Sequence, residues 1–110
     1  MSITRYRFND REVIVPSEYQ GEKVTEIGIE AFSDVGIESV SLPYGIVEIG
    51  IMASYNCKNL IHIAILPSVD TICDWVFAGC KRLKMIDIPP SVTLFGEHVF
   101  WDCNDLAIRC

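Results

Sequence analysis

The chain has 110 residues, half of them apolar and 22% charged, with nine Lys or Arg against fifteen Asp or Glu and a formal net charge of -6. That length holds one hydrophobic core and no second independent domain, and that apolar content excludes a disordered chain. The acidic balance argues against nucleic acid, whose phosphates demand basic side chains on a shared face, and no apolar run approaches the roughly twenty residues that span a bilayer.

Residues 1–23 come first. Met1-Ser2-Ile3-Thr4-Arg5-Tyr6-Arg7-Phe8 has neither a long apolar stretch nor a small-residue cleavage site, so it does not read as a secretion signal. Apolar alternation through Tyr6 and Phe8, then Val13 and Val15, on either side of Asn9-Asp10 predicts a capping β-hairpin over residues 3–16. Carboxylates then crowd together: eight fall between Glu12 and Glu48, against Lys23 alone. This run reads either as a solvated face or as an acidic patch that steers a basic partner.

From residue 24 the chain repeats itself. Ile27, Ile49, Ile72 and Phe95 form one column, followed by Gly28, Gly50, Cys73 and Gly96. Ala31, Ala53, Val76 and Val99 form another, with Phe32, Ser54, Phe77 and Phe100 beside it. Cys57, Cys80 and Cys103 recur every 23 residues, and Val35 takes that place in a first unit one residue shorter. Leu60, Ile63 and Ile65 repeat as Leu83, Ile86 and Ile88, then as Ile37, Val40 and Leu42 in the first unit. Two apolar residues two apart mark a half-buried strand, and the proline that follows ends it, since proline donates no hydrogen bond. The Ala-Phe-x-x-Cys stretch predicts a short helical or 3₁₀ turn. One such coil cannot bury its apolar face, whereas stacked coils with parallel strands can.

The units are therefore 24–46, 47–69 and 70–92, with 1–23 as a cap and 93–110 as an incomplete last repeat. After Leu106, Ala107-Ile108-Arg109-Cys110 places Arg109 where the 23-residue count requires an apolar side chain, which leaves that strand's register open.

This lattice resembles the BspA-type (Treponema pallidum-type) leucine-rich repeat family, whose pattern runs Val-x-x-Ile-Gly-x-x-Ala-Phe-x-x-Cys-x-x-Leu-x-x-Ile-x-Ile-Pro. Residues 24–32 and 69–90 match it closely, and residues 14–24 look like that family's lead-in to its first repeat. Cys73 in place of glycine, Ser54 in place of phenylalanine and Val35 in place of cysteine depart from it. The resemblance implies a mainly β solenoid, a right-handed superhelix of about four coils of 22–23 residues. It also implies an adhesion or recognition role toward a host or neighbouring-cell protein, and a cell-surface or secreted setting. The absence of a signal-like start and the free-thiol usage are compatible with the cytoplasm.

Chemistry is weakly represented. Cys57, Cys80 and Cys103 are expected to stack as buried reduced thiols, although adjacent coils bring cysteines near disulfide distance. No Cys-x-x-Cys pair occurs, and His62 and His98 fall in different columns, so no metal site is expected. Cys57 should face inward and His62 outward, which denies a thiol nucleophile its base. No phosphate loop, serine elbow or paired-carboxylate signature is present, so neither catalysis nor a cofactor is expected.

What remains is surface. Alternation along each strand turns Ser39 and Ser41, His62 and Ala64, and Met85 and Asp87 outward as neighbours on one face, the candidate partner-binding residues. Trp75 and Trp101 lie near the turns and read either as an interface or as groove filling. Solenoids need capped ends, and nothing after Cys103 looks like a cap. Leu106 and Ile108 are therefore candidates for a self-association edge, and a homodimer through this end is the alternative role.

Overall fold

The computed structural model describes residues 2–3 and 11–109. The short strands follow the repeat: β1 (Ser2–Ile3), β2 (Glu12–Ile14), β3 (Glu18–Tyr19), β4 (Glu22–Lys23), β5 (Glu26–Ile27), β6 (Ser39–Ser41), β7 (Glu48–Ile49), β8 (His62–Ile63), β9 (Thr71–Ile72), β10 (Met85–Asp87), β11 (Leu94–Phe95) and β12 (Ala107–Arg109). One parallel sheet runs β1-β5-β7-β9-β11 and pairs Ile27 with Ile49, Ile49 with Ile72, and Ile72 with Phe95. The strands after the turns form a second face, built of a three-stranded sheet β2-β6-β8 and a two-stranded sheet β10-β12. The fold is a β solenoid of about four coils stacked some 23 residues apart.

Each coil contributes the same buried set. Ile27, Ile49 and Ile72 project inward from the first sheet, Val40, Ile63 and Ile86 from the second, and Ala31, Ala53 and Val76 from the turns. Leu60 and Leu83 fill the space where each turn leads into the second sheet. This is the burial that a single coil lacks and that stacking supplies.

The turns are not helices. Their N–H groups alternate in direction: Ala31, Ser33 and Val35 donate back to Gly28, Glu30 and Phe32, whereas Glu30, Phe32 and Asp34 donate to Ile51, Ala53 and Tyr55 of the next coil. The next two turns repeat this, and Trp75, Phe77 and Gly79 end on Glu97, Val99 and Trp101. A helix sends every N–H back to its own chain, so this segment trades helical bonds for a third ladder between coils. The trade requires left-handed backbone at Glu30, Met52, Trp75 and His98, with φ between 56° and 61°. It requires the same at Asp34, Asn56, Gly79 and Asp102.

At the start of the chain β1 pairs parallel with β5 and β2 parallel with β6, so both join the sheets of the solenoid. The capping hairpin expected over residues 3–16 turns on Tyr6, Phe8, Asn9 and Asp10, which lie outside the described residues. A small antiparallel hairpin does occur, at Glu18–Tyr19 against Glu22–Lys23, where Gln20 and Gly21 supply the positive φ a tight turn needs.

The register of the last strand is resolved by a one-residue deletion. Ile86 pairs with Ile108 and Asp87 with Arg109, a spacing of 22 residues, while Leu106 still follows Leu83 by 23. Ile108 thereby takes the inward column and Arg109 the outward one, which removes the apparent misfit of an arginine in the core.

Candidate binding face

The second face presents two outward columns. Glu12, Ser39 and His62 are register neighbours, as are Ile14 and Ser41 on the adjacent column. Met85 lies beside Ala107 and Asp87 beside Arg109 across β10 and β12. Ser41, His62, Ala64, Met85 and Asp87 are exposed and Ser39 half-exposed, as strand alternation requires when Val40, Ile63 and Ile86 point into the core. The structure thus gathers the six candidates on one surface.

That surface is interrupted. β8 ends one sheet and β10 begins the next, so the parallel ladder stops between His62–Ile63 and Met85–Asp87. A depression of about 500 Å³ crosses the break, lined by Ile61, His62, Ala64, Met85, Asp87 and Arg109. Arg109 was absent from the sequence-based set because the 23-residue count turned it inward. Its Nε donates to Asp87 Oδ1 at 2.7 Å and its Nη2 to Oδ2 at 3.1 Å, a two-pronged pair on the rim. The hydrogen bonds from Arg109 hold the Asp87 carboxyl below the usual carboxylate range. Small Ser39, Ser41 and Ala64 keep the middle of the face low, while Ile61 and Met85 add exposed apolar surface beside it.

The thiols form a ladder of their own. Cys57 Sγ donates to Phe32 O at 2.9 Å, Cys80 Sγ to Ser54 O at 3.3 Å and Cys103 Sγ to Phe77 O at 3.0 Å. Each carbonyl already accepts the N–H of the residue three further on, so the thiol occupies its second lone pair. Burial pushes the Cys57 thiol up to about 12 and the Cys80 thiol further in the same direction. Cys57 and Cys80 are buried as expected, while Cys103 in the last coil is only partly covered. Cys57 is buried after the turn while His62 is exposed on β8. Among the described residues, no three His, Cys, Asp or Glu side chains gather as metal ligands.

On the turn edge, Trp75 sits 6.5 Å from Tyr55, 4.7 Å from His98 and 5.6 Å from Trp101, ring centre to ring centre. Trp75 is half-buried by these neighbours and Trp101 is exposed. In the acidic run, Glu26 and Glu48 are direct neighbours on the outward side of the first sheet, and Glu18 and Glu22 flank the small hairpin.

At the far end, Leu106 is half-buried and all of β12 is exposed. Phe95 is 48% exposed where Ile72, one coil earlier, is 0%, and Ile108 is 47% exposed where Ile86 is 2%. The coil's cross-section is open there. Among the described residues no helix is long and apolar enough to cross a membrane.

Comparison with known proteins places this architecture. The family model for the BspA type leucine rich repeat region matches residues 1–108 in six copies. The crystal structure of a leucine-rich repeat protein from T. pallidum superimposes with a TM-score of 0.90 at 32% identity, covering 96% of this chain and 50% of that one. A leucine-rich repeat protein from Bacteroides capillosus gives 0.88 at 28% identity, covering 98% of this chain and 84% of that one. The pneumococcal vaccine antigen PcpA gives 0.81 at 27% identity, with 92% of this chain against 25% of that one. This chain therefore spans half of the T. pallidum protein and a quarter of the pneumococcal one. No curated protein matches the sequence. A four-coil solenoid with this column pattern, matched over nearly its whole length, belongs to the BspA-type leucine-rich repeat family.

Proposed function

We propose that the chain is a protein-interaction or adhesion module that binds its partner on the second face, with no catalytic role. The observation that carries this reading is the depression at the sheet break, where His62, Ala64, Met85 and Asp87 meet Ile61 and Arg109. It combines exposed apolar surface with a fixed arginine–carboxylate pair, the mixture from which protein interfaces draw both area and orientation. Ser39 and Ser41 extend the same surface toward the start of the chain. The partner is a protein, and by family resemblance one on a host or neighbouring cell, which also favours a surface or secreted setting. Membership in a repeat family of this kind supports binding, since stacked coils provide an extended surface for a partner.

Substituting His62→Glu and Met85→Glu tests it. Both side chains leave the core untouched, so circular dichroism and melting should be unchanged while partner binding weakens. Loss of folding would show that the strand faces are assigned wrongly. Unaltered binding by both variants would move the interface elsewhere.

A further inference from the structure

The break between β8 and β10 gathers two hollows around one charged pair. The depression of about 500 Å³ meets a second of about 440 Å³, lined by Ile88, Pro89 and Pro90, and Ile65, Asp87 and Arg109 line both. A solenoid lengthens along its stacking axis, so further coils at either end would extend this lateral face without covering it. Main-chain groups are left over at the break. Glu38 O accepts Ile61 N–H at 2.7 Å and Lys84 O accepts Ala107 N–H at 2.9 Å, but Ile61 O accepts no backbone N–H. Ile88 N–H reaches Arg109 O at 2.7 Å, whereas the corresponding Ile65 N–H reaches no protein acceptor. Charge here has the opposite sign to that of the whole chain, which carries -6. Lys84 and Arg109 line the depression, with Asp87 as its single carboxylate. Lys84 Nζ donates to Lys81 O at 3.1 Å and to Asn104 O at 3.0 Å, both uncharged acceptors. Arg109 gives Nε and one Nη2 hydrogen to Asp87, which leaves both hydrogens of Nη1 for an outside acceptor.

We propose, resting on the reading that the partner binds this face, that the break receives an extended partner segment of the pattern apolar–x–acidic–x–apolar, its Asp or Glu carboxylate bound by Arg109. Every second side chain of an extended segment points the same way. The pattern therefore sets one apolar group in each hollow and the carboxylate between them, where both hollows share Asp87 and Arg109. Charge selects the acid. Asp87 already accepts from Arg109 through both oxygens, so a Lys or Arg of the partner would meet a neutralised carboxylate and two like charges. A carboxylate instead meets the free Nη1 hydrogens of Arg109, with Lys84 on the same rim. The unpaired Ile61 C=O and Ile65 N–H offer an acceptor and a donor to a polypeptide main chain.

Panning the full chain with a phage-displayed library of random linear peptides tests this. Selected peptides should carry Asp or Glu two residues from Leu, Ile, Met or Phe. A synthetic copy should lose about tenfold in affinity when its acid is replaced by the amide, and the same when the chain carries Arg109→Gln. Asp87→Asn keeps an acceptor for Arg109 and removes the only carboxylate of the depression, so it should tighten the peptide several-fold. Both changed residues are exposed, and unchanged melting curves would confirm that each variant is folded. Selected peptides rich in Lys or Arg, or a peptide weakened by Asp87→Asn, would overturn the proposal. So would a library that yields no peptide dependent on Arg109. Peptides abolished by Met85→Glu but without an acidic preference would overturn the carboxylate and leave the partner on this face. Peptides indifferent to both Met85→Glu and Arg109→Gln would overturn the face as well.

Discussion

Gly50 should not tolerate a side chain. Its N–H reaches Ile27 O at 2.7 Å, one of the shortest contacts between coils. A Cβ added there would stand 2.8 Å from Ile27 O, 3.1 Å from Gly28 C and 3.2 Å from Ile29 N. All three are backbone atoms of the preceding coil, so no side chain can swing aside. Carbon contacts settle near roughly 3.5 Å, so the coils must part by several tenths of an ångström and stretch the hydrogen bond. Overpacking of this kind costs about 1–3 kcal/mol, and a weakened bond adds up to about 1 kcal/mol. Gly50→Ala should therefore lose about 2–4 kcal/mol, a large share of the roughly 5–15 kcal/mol that holds a domain together. The melting midpoint should fall on the order of 10 °C or more. Gly36→Ala is the control. Its added Cβ meets only Asn59 Nδ2, at an ordinary 3.7 Å, and its backbone is not left-handed. It should change stability by less than about 0.5 kcal/mol. Thermal and urea melts of the two variants, followed by circular dichroism, make the comparison. Equal losses would refute the argument that close approach of the preceding coil excludes a side chain at position 50.

Phe77 is fully buried and stacks on Phe100 with ring centres 5.8 Å apart. Phe77→Ala should cost about 3–5 kcal/mol in a urea melt. Cys57 should react with iodoacetamide about a thousandfold more slowly at pH 8 than a thiol at the ordinary value of 9.0, and at normal speed in denaturant. Because its folded value lies at about 12, the unfolded chain loses the proton first, and stability should fall as pH rises through the window between those values. Cys57→Ala should flatten that alkaline limb in pH-dependent melts. Asp87 should titrate below ordinary carboxylates by NMR and return to their range in Arg109→Gln. The sign follows from a lowered folded value: whatever the pair contributes is present at neutral pH and disappears as pH falls through it.

Much of the architecture was legible because several columns repeat in phase. Ile27, Ile49, Ile72 and Phe95 are paired neighbours in one sheet, as their spacing required. The inward and outward assignments on β6, β8 and β10 follow from the same count. Arg109 was misplaced because the count was carried through Leu106 without allowing for a deletion, although the first coil shows one between Val35 and Ile37. Shifting by a single residue aligns Ile108 with Ile86 and sets Arg109 beside Asp87, a charge match visible in the sequence. The turns looked helical because apolar residues three and four apart suit a helix. Their alternating donors are fixed by the neighbouring coil, which local pattern does not record. The parallel pairing of β1 with β5 and of β2 with β6 joins residues more than twenty apart, which a local pattern does not record. The break between β8 and β10 has no signature in residue type or spacing, since both coils keep the 23-residue step.

The binding face is tested most directly by photo-crosslinking from defined positions. A photoreactive residue at His62 or Met85 reports on the second face, and one at Thr71 reports on the outward side of the first sheet. With the proposed protein partner present, the expected result is a discrete protein adduct from positions 62 and 85, none from 71, and loss of the adduct from position 62 when Met85→Glu is added. Equal adducts from all three positions, or an adduct from 71 alone, would contradict the assignment of the partner to the second face.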